Sequence, residues 1–178
     1  KSTLLHILGG LDEPSSGQVF VDGVDVFALS DADRAHFRNQ HVGFVFQFHH
    51  LLSDFTALEN VMMPLLIAGV SQPAARGPAL ALLDSVGLAK RVDHLPAELS
   101  GGEAQRVAVA RALIGQPKVV LADEPSGNLD AGRSVELHAL IWDLARSRGQ
   151  TFVIATHDAE LSKRADRVIR MDDGRIVI

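Results

Sequence analysis

Apolar and polar positions change period several times along the chain, and each change predicts an element. Residues 4–11 (LLHILGGL) carry a helical pattern directly after Lys1, Ser2 and Thr3. Residues 17–27 (GQVFVDGVDVF) alternate apolar and polar around the turn dipeptide Asp22-Gly23, which predicts two short antiparallel strands. The compact apolar run at 41–47 (HVGFVFQ) predicts a buried strand ending at a polar residue. From Ser53 to about Leu95 Ala, Leu and Met dominate and β-branched residues thin out. There Gly69, Pro73, Gly77, Pro78 and Gly87 punctuate the chain into short helices.

The later part alternates more regularly. Apolar positions 107, 109, 110, 113 and 114 predict a helix over 102–114, closed by Gly115 and Pro117. Residues 118–123 (KVVLAD) predict a buried strand that ends in acids. Over 134–148 an amphipathic helix is expected, with Val135, Leu137, Leu140, Ile141 and Leu144 on its apolar stripe. A further buried strand at 151–156 (TFVIAT) precedes a short helix over about 158–164. The terminal segments RVIRM and RIVI flank Asp172-Asp173-Gly174 as a hairpin. Strands alternating with helices imply an α/β fold with a mostly parallel sheet core, a small antiparallel β region and an inserted helical subdomain over about 48–98. The whole of 1–178 reads as a single domain, without repeats or linkers.

Composition narrows the possibilities. The 178 residues are 47% hydrophobic and 22% charged, enough for a packed core and unlike a disordered chain. With no cysteine there is neither a disulfide framework nor a Cys-based metal site. A net charge of −5 argues against a wholesale nucleic-acid binder, and no nucleic-acid partner is expected. The longest apolar stretch, 61–70, contains Pro64 and falls well short of the roughly 20 residues a membrane-spanning helix needs. No secretory signal is present, and a soluble chain is expected.

Three stretches carry candidate chemistry. Lys1, Ser2 and Thr3 match the tail of a phosphate-binding loop, where a Lys reaches phosphates and a hydroxyl holds Mg²⁺ at a helix N-terminus. The same residues alone could be a capped N-terminus. Asp123 and Glu124 end a buried strand, at the sheet edge where ligands bind in open α/β folds. Asp123 could hold Mg²⁺ and Glu124 could polarise a water; a solvated acidic turn or a carboxylate pair for sugar chemistry are the competing readings. Ser100, Gly101, Gly102 and Glu103 open a helix with consecutive amides, an anion-binding surface or simply a good cap.

The order of these motifs resembles that of ATP-binding cassette (ABC) ATPases. Lys1-Ser2-Thr3, Gln47, the LSGGE of 99–103, VVLADEP, the SGNLD of 126–130 and Thr156-His157-Asp158 occur in the family's sequence and span nearly the whole chain. The resemblance implies an ABC-type P-loop ATPase fold with ATP and Mg²⁺ at its site. It implies that Lys1 and Thr3 contact phosphates, that Ser2 and Asp123 serve the metal, and that Gln47 touches Mg²⁺ or the attacking water and links the site to the helical subdomain. Glu124 would be the catalytic base, and His157 would contact the γ-phosphate. Ser100, Gly101, Gly102 and Glu103 would bind ATP held by the opposite subunit, so a head-to-tail homodimer is implied, with 126–130 along its seam.

The segment FQFHHLLSDFTALENV at 46–61, followed by MPLL at 63–66, resembles more narrowly the ATPase subunits of lipoprotein-releasing (Lol) transporters of Gram-negative bacteria. Relatives in macrolide export and cell division share much of that framework and are the alternative. The resemblance implies a peripheral subunit on the cytoplasmic face of the inner membrane, docked to integral membrane subunits between Gln47 and Met63. Phe48, Leu51, Leu52, Phe55, Met62 and Met63 suit a partner groove or the domain's own core equally. His49 and His50 lack a third ligand at suitable spacing for a metal. A soluble repair or translation cassette fits poorly, because 4–98 leaves no room for a long coiled-coil arm.

Two departures stand out. Ala104 occupies a position where Gln, Arg or Lys is commoner, putting a surface or phosphate-facing contact in doubt. The sequence also starts within the phosphate-loop pattern, at Lys1, so the reading expects a larger domain and weaker ATP binding without the preceding glycines.

Overall fold

A computed structural model describes residues 1–177 and resolves the predicted alternation into one parallel sheet, two hairpins and seven α-helices among those residues. Helix α1 (Ser2–Leu8) leads to a short hairpin of β1 (Phe20–Val21) and β2 (Val24–Asp25), with Phe20 paired to Asp25 across the Asp22-Gly23 turn. Helix α2 (Asp31–His41) runs into β3 (Val42–Val45). Helices α3 (Ala57–Ile67), α4 (Gln72–Ser85) and α5 (Gly101–Leu113) separate β3 from β4 (Val119–Asp123). Helix α6 (Ala131–Arg148), β5 (Thr151–Ala155) and α7 (Ala159–Lys163) follow, and β6 (Arg170–Asp172) pairs antiparallel with β7 (Arg175–Val177). Ile178, the last residue of the expected hairpin, lies outside the described residues.

The sheet order is β3-β4-β5, all parallel. Val42 lies opposite Val119, and Val119 opposite Thr151, so the three strands begin level and β3 ends one residue before the other two. Their carboxyl ends therefore deliver the residues just after each strand to one edge, where open α/β sheets bind ligands. Valine, leucine and alanine bury the central strand β4 on both faces, with Val120 and Ala122 fully enclosed.

One core joins the sheet to the helical segment. Val45, Val120, Ala122, Leu137 and Ile141 cluster with Leu58, Val61, Met62, Leu83, Val107 and Val109. Helix α5 lies so close to β3 that a Cβ on Gly43 would sit 2.3 Å from the Ala112 carbonyl oxygen. Only a residue without a side chain permits that approach.

Several expectations shift. Helix α2, not read from the sequence, is strongly polar and buries only Phe37; its entry is marked by the Ser30 cap, whose hydroxyl accepts from the Asp33 amide at 3.2 Å. Gly77 and Pro78 were expected to break the chain but lie inside α4. Burial of Ala75, Ala79, Leu82 and Leu83 on that helix outweighs the weak propensity of the two residues. The stripe of α6 also rotates: Val135 is 67% exposed, whereas His138 is buried. Ala104, expected near the surface or phosphate, is buried in the body of α5.

Candidate active site

Helix α1 starts directly after Lys1 and is anchored by Leu5, which packs with Val42 and Leu121 on the sheet. Anchoring places the amino end of α1 over the carboxyl edge of β4 and β5. There the Lys1 Nζ donates to the Thr156 carbonyl oxygen at 2.9 Å. Ser2 and Thr3 occupy the first turn and are exposed.

Glu124 follows β4 with a φ of 45°, an uncommon angle for a residue with a side chain. Its amide donates to the Ala155 carbonyl at 2.9 Å, fixing the turn to the neighbouring strand. Its carboxylate is held at both oxygens: Thr156 Oγ1 donates to Oε2 at 3.1 Å, and His157 Nε2 lies 3.5 Å from Oε1. The Glu124 side chain is 22% exposed and that of His157 83% exposed, so the acid sits at the base of the edge and the imidazole at its rim. Asp123 Oδ1 is buried without a hydrogen-bond partner. A buried unpaired carboxylate oxygen is costly, and a hydrated divalent cation is the chemistry that satisfies it.

Gln47 emerges two residues beyond β3 and makes a reciprocal pair with Asn128. Its Nε2 donates to Asn128 Oδ1 at 3.0 Å, and Asn128 Nδ2 donates back to the Gln47 carbonyl at 3.1 Å. The structure thus brings Lys1, Gln47, Glu124, Thr156 and His157 to one edge.

The second group forms a separate surface. Ser100 caps α5 in a capping box: its hydroxyl accepts from the Glu103 amide at 3.3 Å, and Glu103 accepts from the Ser100 amide at 2.8 Å. Arg91 Nε donates to Glu103 Oε1 at 2.8 Å. That ion pair, reinforced by the Ser100 amide, holds the Glu103 carboxyl down at about 2. Gly101 is exposed and Gly102 lies against Arg133. Among the described residues, no hydrogen bond or ion pair links Ser100, Gly101, Gly102 or Glu103 to Lys1, Glu124 or His157.

Segment 46–63 splits in two. Phe48, Leu52 and Phe55 are exposed, at 65%, 42% and 40%, while Met62 belongs to the core and is closed to any partner. Two residues that periodicity hid hold the exposed loop. Gln105 donates to the Phe46 carbonyl at 2.8 Å, and the half-buried Arg111 donates to the carbonyls of His49 and His50 at 2.8 and 2.7 Å. Burial, then Arg111 and His50, lower the His49 pKa, and His49 Nδ1 accepts from the Leu51 amide at 3.4 Å. Their signal in the sequence was polarity: both interrupt the apolar face of a helix that otherwise reads as core.

A parallel sheet with a lysine-led helix, a paired acid and a histidine gathered at one carboxyl edge defines a P-loop ATPase. The chain belongs to the ABC transporter family, whose profile matches residues 1–127. It is 60% identical over 177 residues to the lipoprotein-releasing system ATP-binding protein LolD of Geobacter metallireducens, an alignment covering 99% of this chain and 79% of that protein. LolD of Bacteroides fragilis is 56% identical over 177 residues, with 99% and 82% covered. Among solved structures, the ATP-binding cassette MJ0796, a dimer in a post-hydrolysis state bound to ADP and Pi, superposes with a TM-score of 0.88 at 37% identity. That match covers 98% of this chain and 77% of MJ0796. Among the described residues no helix is long and apolar enough to cross a membrane.

Proposed function

We propose that this chain is the ATP-hydrolysing subunit of a membrane transporter that releases lipoproteins from the bacterial inner membrane. Identity of 60% and 56% to two LolD proteins, over nearly the whole chain, supports the task. The carrying observation for the chemistry is the Glu124 carboxylate held between Thr156 and His157, with the Lys1 ammonium on the same turn.

The roles follow from that arrangement. Lys1 neutralises β- and γ-phosphate charge, and Thr3 contributes a phosphate contact at the start of α1. Ser2, Gln47 and Asp123 hold Mg²⁺, which supplies charge neutralisation on the phosphates; the unpaired Asp123 oxygen fits that duty. Glu124 accepts a proton from the attacking water, and Thr156 keeps its carboxylate aimed. His157, on the rim, hydrogen-bonds the γ-phosphate. Phosphoryl transfer depends mainly on positioning and electrostatics, so donors can arrive from a second chain. Ser100, Gly101, Gly102 and Glu103 contact ATP held by the partner subunit in a head-to-tail homodimer, with 126–130 along the seam. Among the described residues, that surface shares no bond with Lys1 or Glu124 within one chain, which favours action across the dimer.

The exposed Phe48, Leu52 and Phe55, adjoining Gln47, dock integral membrane subunits and hold the protein at the cytoplasmic face. The test is co-purification: the full-length protein should retain its host's lipoprotein-release membrane subunits and lose them with Phe48→Asp. Retention of only an export or cell-division complex would overturn the task assigned here.

A further inference from the structure

Among the described residues, His138 is the buried ionisable side chain that the reaction above does not use. The residue is 8% exposed and lies on α6, four residues after Ser134. Both point at Ser126, at the start of the 126–130 segment. His138 Nε2 is 2.8 Å from Ser126 Oγ, a bond buried at both ends, and Ser134 Oγ approaches the Ser126 carbonyl at 3.5 Å. Residues four apart on a helix share a face, which is why one helix can hold Ser126 twice.

The other ring nitrogen faces the opposite side of the site. His138 Nδ1 lies 3.9 Å from Asp158 Oδ2, too far for a direct hydrogen bond but close enough for the carboxylate to orient the ring. Asp158 is itself fixed: its amide donates to Thr156 Oγ1 at 2.9 Å, and its Oδ1 accepts from the Glu160 amide at 2.7 Å. Thr156 Oγ1 in turn donates to Glu124 at 3.1 Å. Burial lowers the His138 pKa, with Asp158 opposing. A neutral ring with its proton on Nδ1, towards Asp158, leaves Nε2 to accept the Ser126 hydroxyl.

We propose that His138 is a positioning residue that hydrogen-bonds the seam segment at Ser126 while the Asp158 carboxylate of the 156–158 turn orients its ring, so that contact with a partner at the seam is felt at Glu124 and His157. The inference rests on the seam and base roles proposed above. Asn128, two residues along, is fastened separately to Gln47. The seam segment is therefore bonded at one point to Gln47, at the start of the docking loop, and at another to His138 of α6, whose ring faces the turn that aims the base. Removing the imidazole leaves the Ser126 hydroxyl buried without its partner, a cost that loosens the segment.

The test compares His138→Met, His138→Gln, Ser126→Ala and the double variant His138→Met/Ser126→Ala in the full-length protein. His138→Met fills the volume without a hydrogen bond, and His138→Gln restores an acceptor. Hydrogen exchange at the amides of 126–130 and 156–158 should quicken together about tenfold in His138→Met and return towards the original rate in His138→Gln. In Mg-ATP turnover, kcat should fall about tenfold with KM nearly unchanged, and the double variant should lose no more than either single one. Unchanged exchange in both segments, or strictly additive losses in the double variant, would overturn the proposal. Absence of Mg-ATP turnover in the unsubstituted protein would instead defeat the ATPase roles, and the exchange rates would still decide whether His138 joins the two segments.

Discussion

At Glu124 a strained backbone angle and two neighbours decide what the carboxylate can do. Holding a non-glycine residue at a φ of 45° has a cost on the order of 1–3 kcal/mol, met here by the amide bond to Ala155 and the Thr156 contact. Glu124→Gln preserves the shape and an acceptor for Thr156 but removes the base. Turnover of Mg-ATP should fall by about 10²–10⁴-fold while ATP affinity persists, as read by single-turnover hydrolysis beside nucleotide titration. Parallel loss of affinity and rate would contradict the role. Glu103 carries a separate, pH-dependent duty. Its carboxyl sits at about 2 in the folded protein against 4.5 normally, chiefly through Arg91. A depressed folded pKa means that the stabilisation is complete above the unfolded value and is lost as pH falls from 4.5 towards 2. Unfolding midpoints in urea for the original protein and Glu103→Gln should differ at pH 6 and draw together as pH falls from 4.5 towards 2. A gap that stays constant with pH would refute the assignment.

Among the elements, glycines show most sharply how packing overrides local preference. Gly77 lies in α4 with nothing within 4 Å of a prospective Cβ, and Gly43 lies under α5 with a backbone oxygen 2.3 Å away. Gly77→Ala should therefore raise stability by about 0.5–1 kcal/mol, from lower unfolded-state entropy and better helix propensity. Gly43→Ala should lower it markedly, and chemical denaturation of both variants checks the opposite signs. The strands, the Asp22-Gly23 hairpin and α5 were legible because period, turn residues and caps agree there. Helix α2 was not, since Phe37 is its lone buried residue and its polar composition resembles that of a loop. Continuity of α4 through Gly77 and Pro78 was also hidden, because it depends on contacts with α3 and α5 distant in the sequence. For the candidate site, motif order singled out Lys1, Glu124 and His157, which the structure brings to one edge. The bonds of Arg111 to the His49 and His50 carbonyls, and of His138 to Ser126, join positions far apart along the chain or across a turn, and no spacing announces them.

At the scale of the whole molecule, helix α5 spans the two surfaces proposed above. Its amino end is the Ser100 cap, and farther along Gln105 and Arg111 hold the carbonyls of Phe46, His49 and His50. On the proposed roles, a docking loop that moved would carry with it the helix whose amino end faces a partner's nucleotide. Arg111→Lys retains charge but cannot bridge two carbonyls as a planar guanidinium does. It should reduce stimulation of ATP turnover by the membrane subunits several-fold while thermal stability changes little; full stimulation would show that the loop positions itself. The central claim is that ATP joins two copies of this chain, each completing the other's site. Light scattering of full-length Glu124→Gln, resolved by size-exclusion chromatography in saturating Mg-ATP and then in Mg-ADP, tests it most directly. The account predicts the mass of a dimer with Mg-ATP and of a monomer with Mg-ADP, whereas a monomer at saturating Mg-ATP would contradict it.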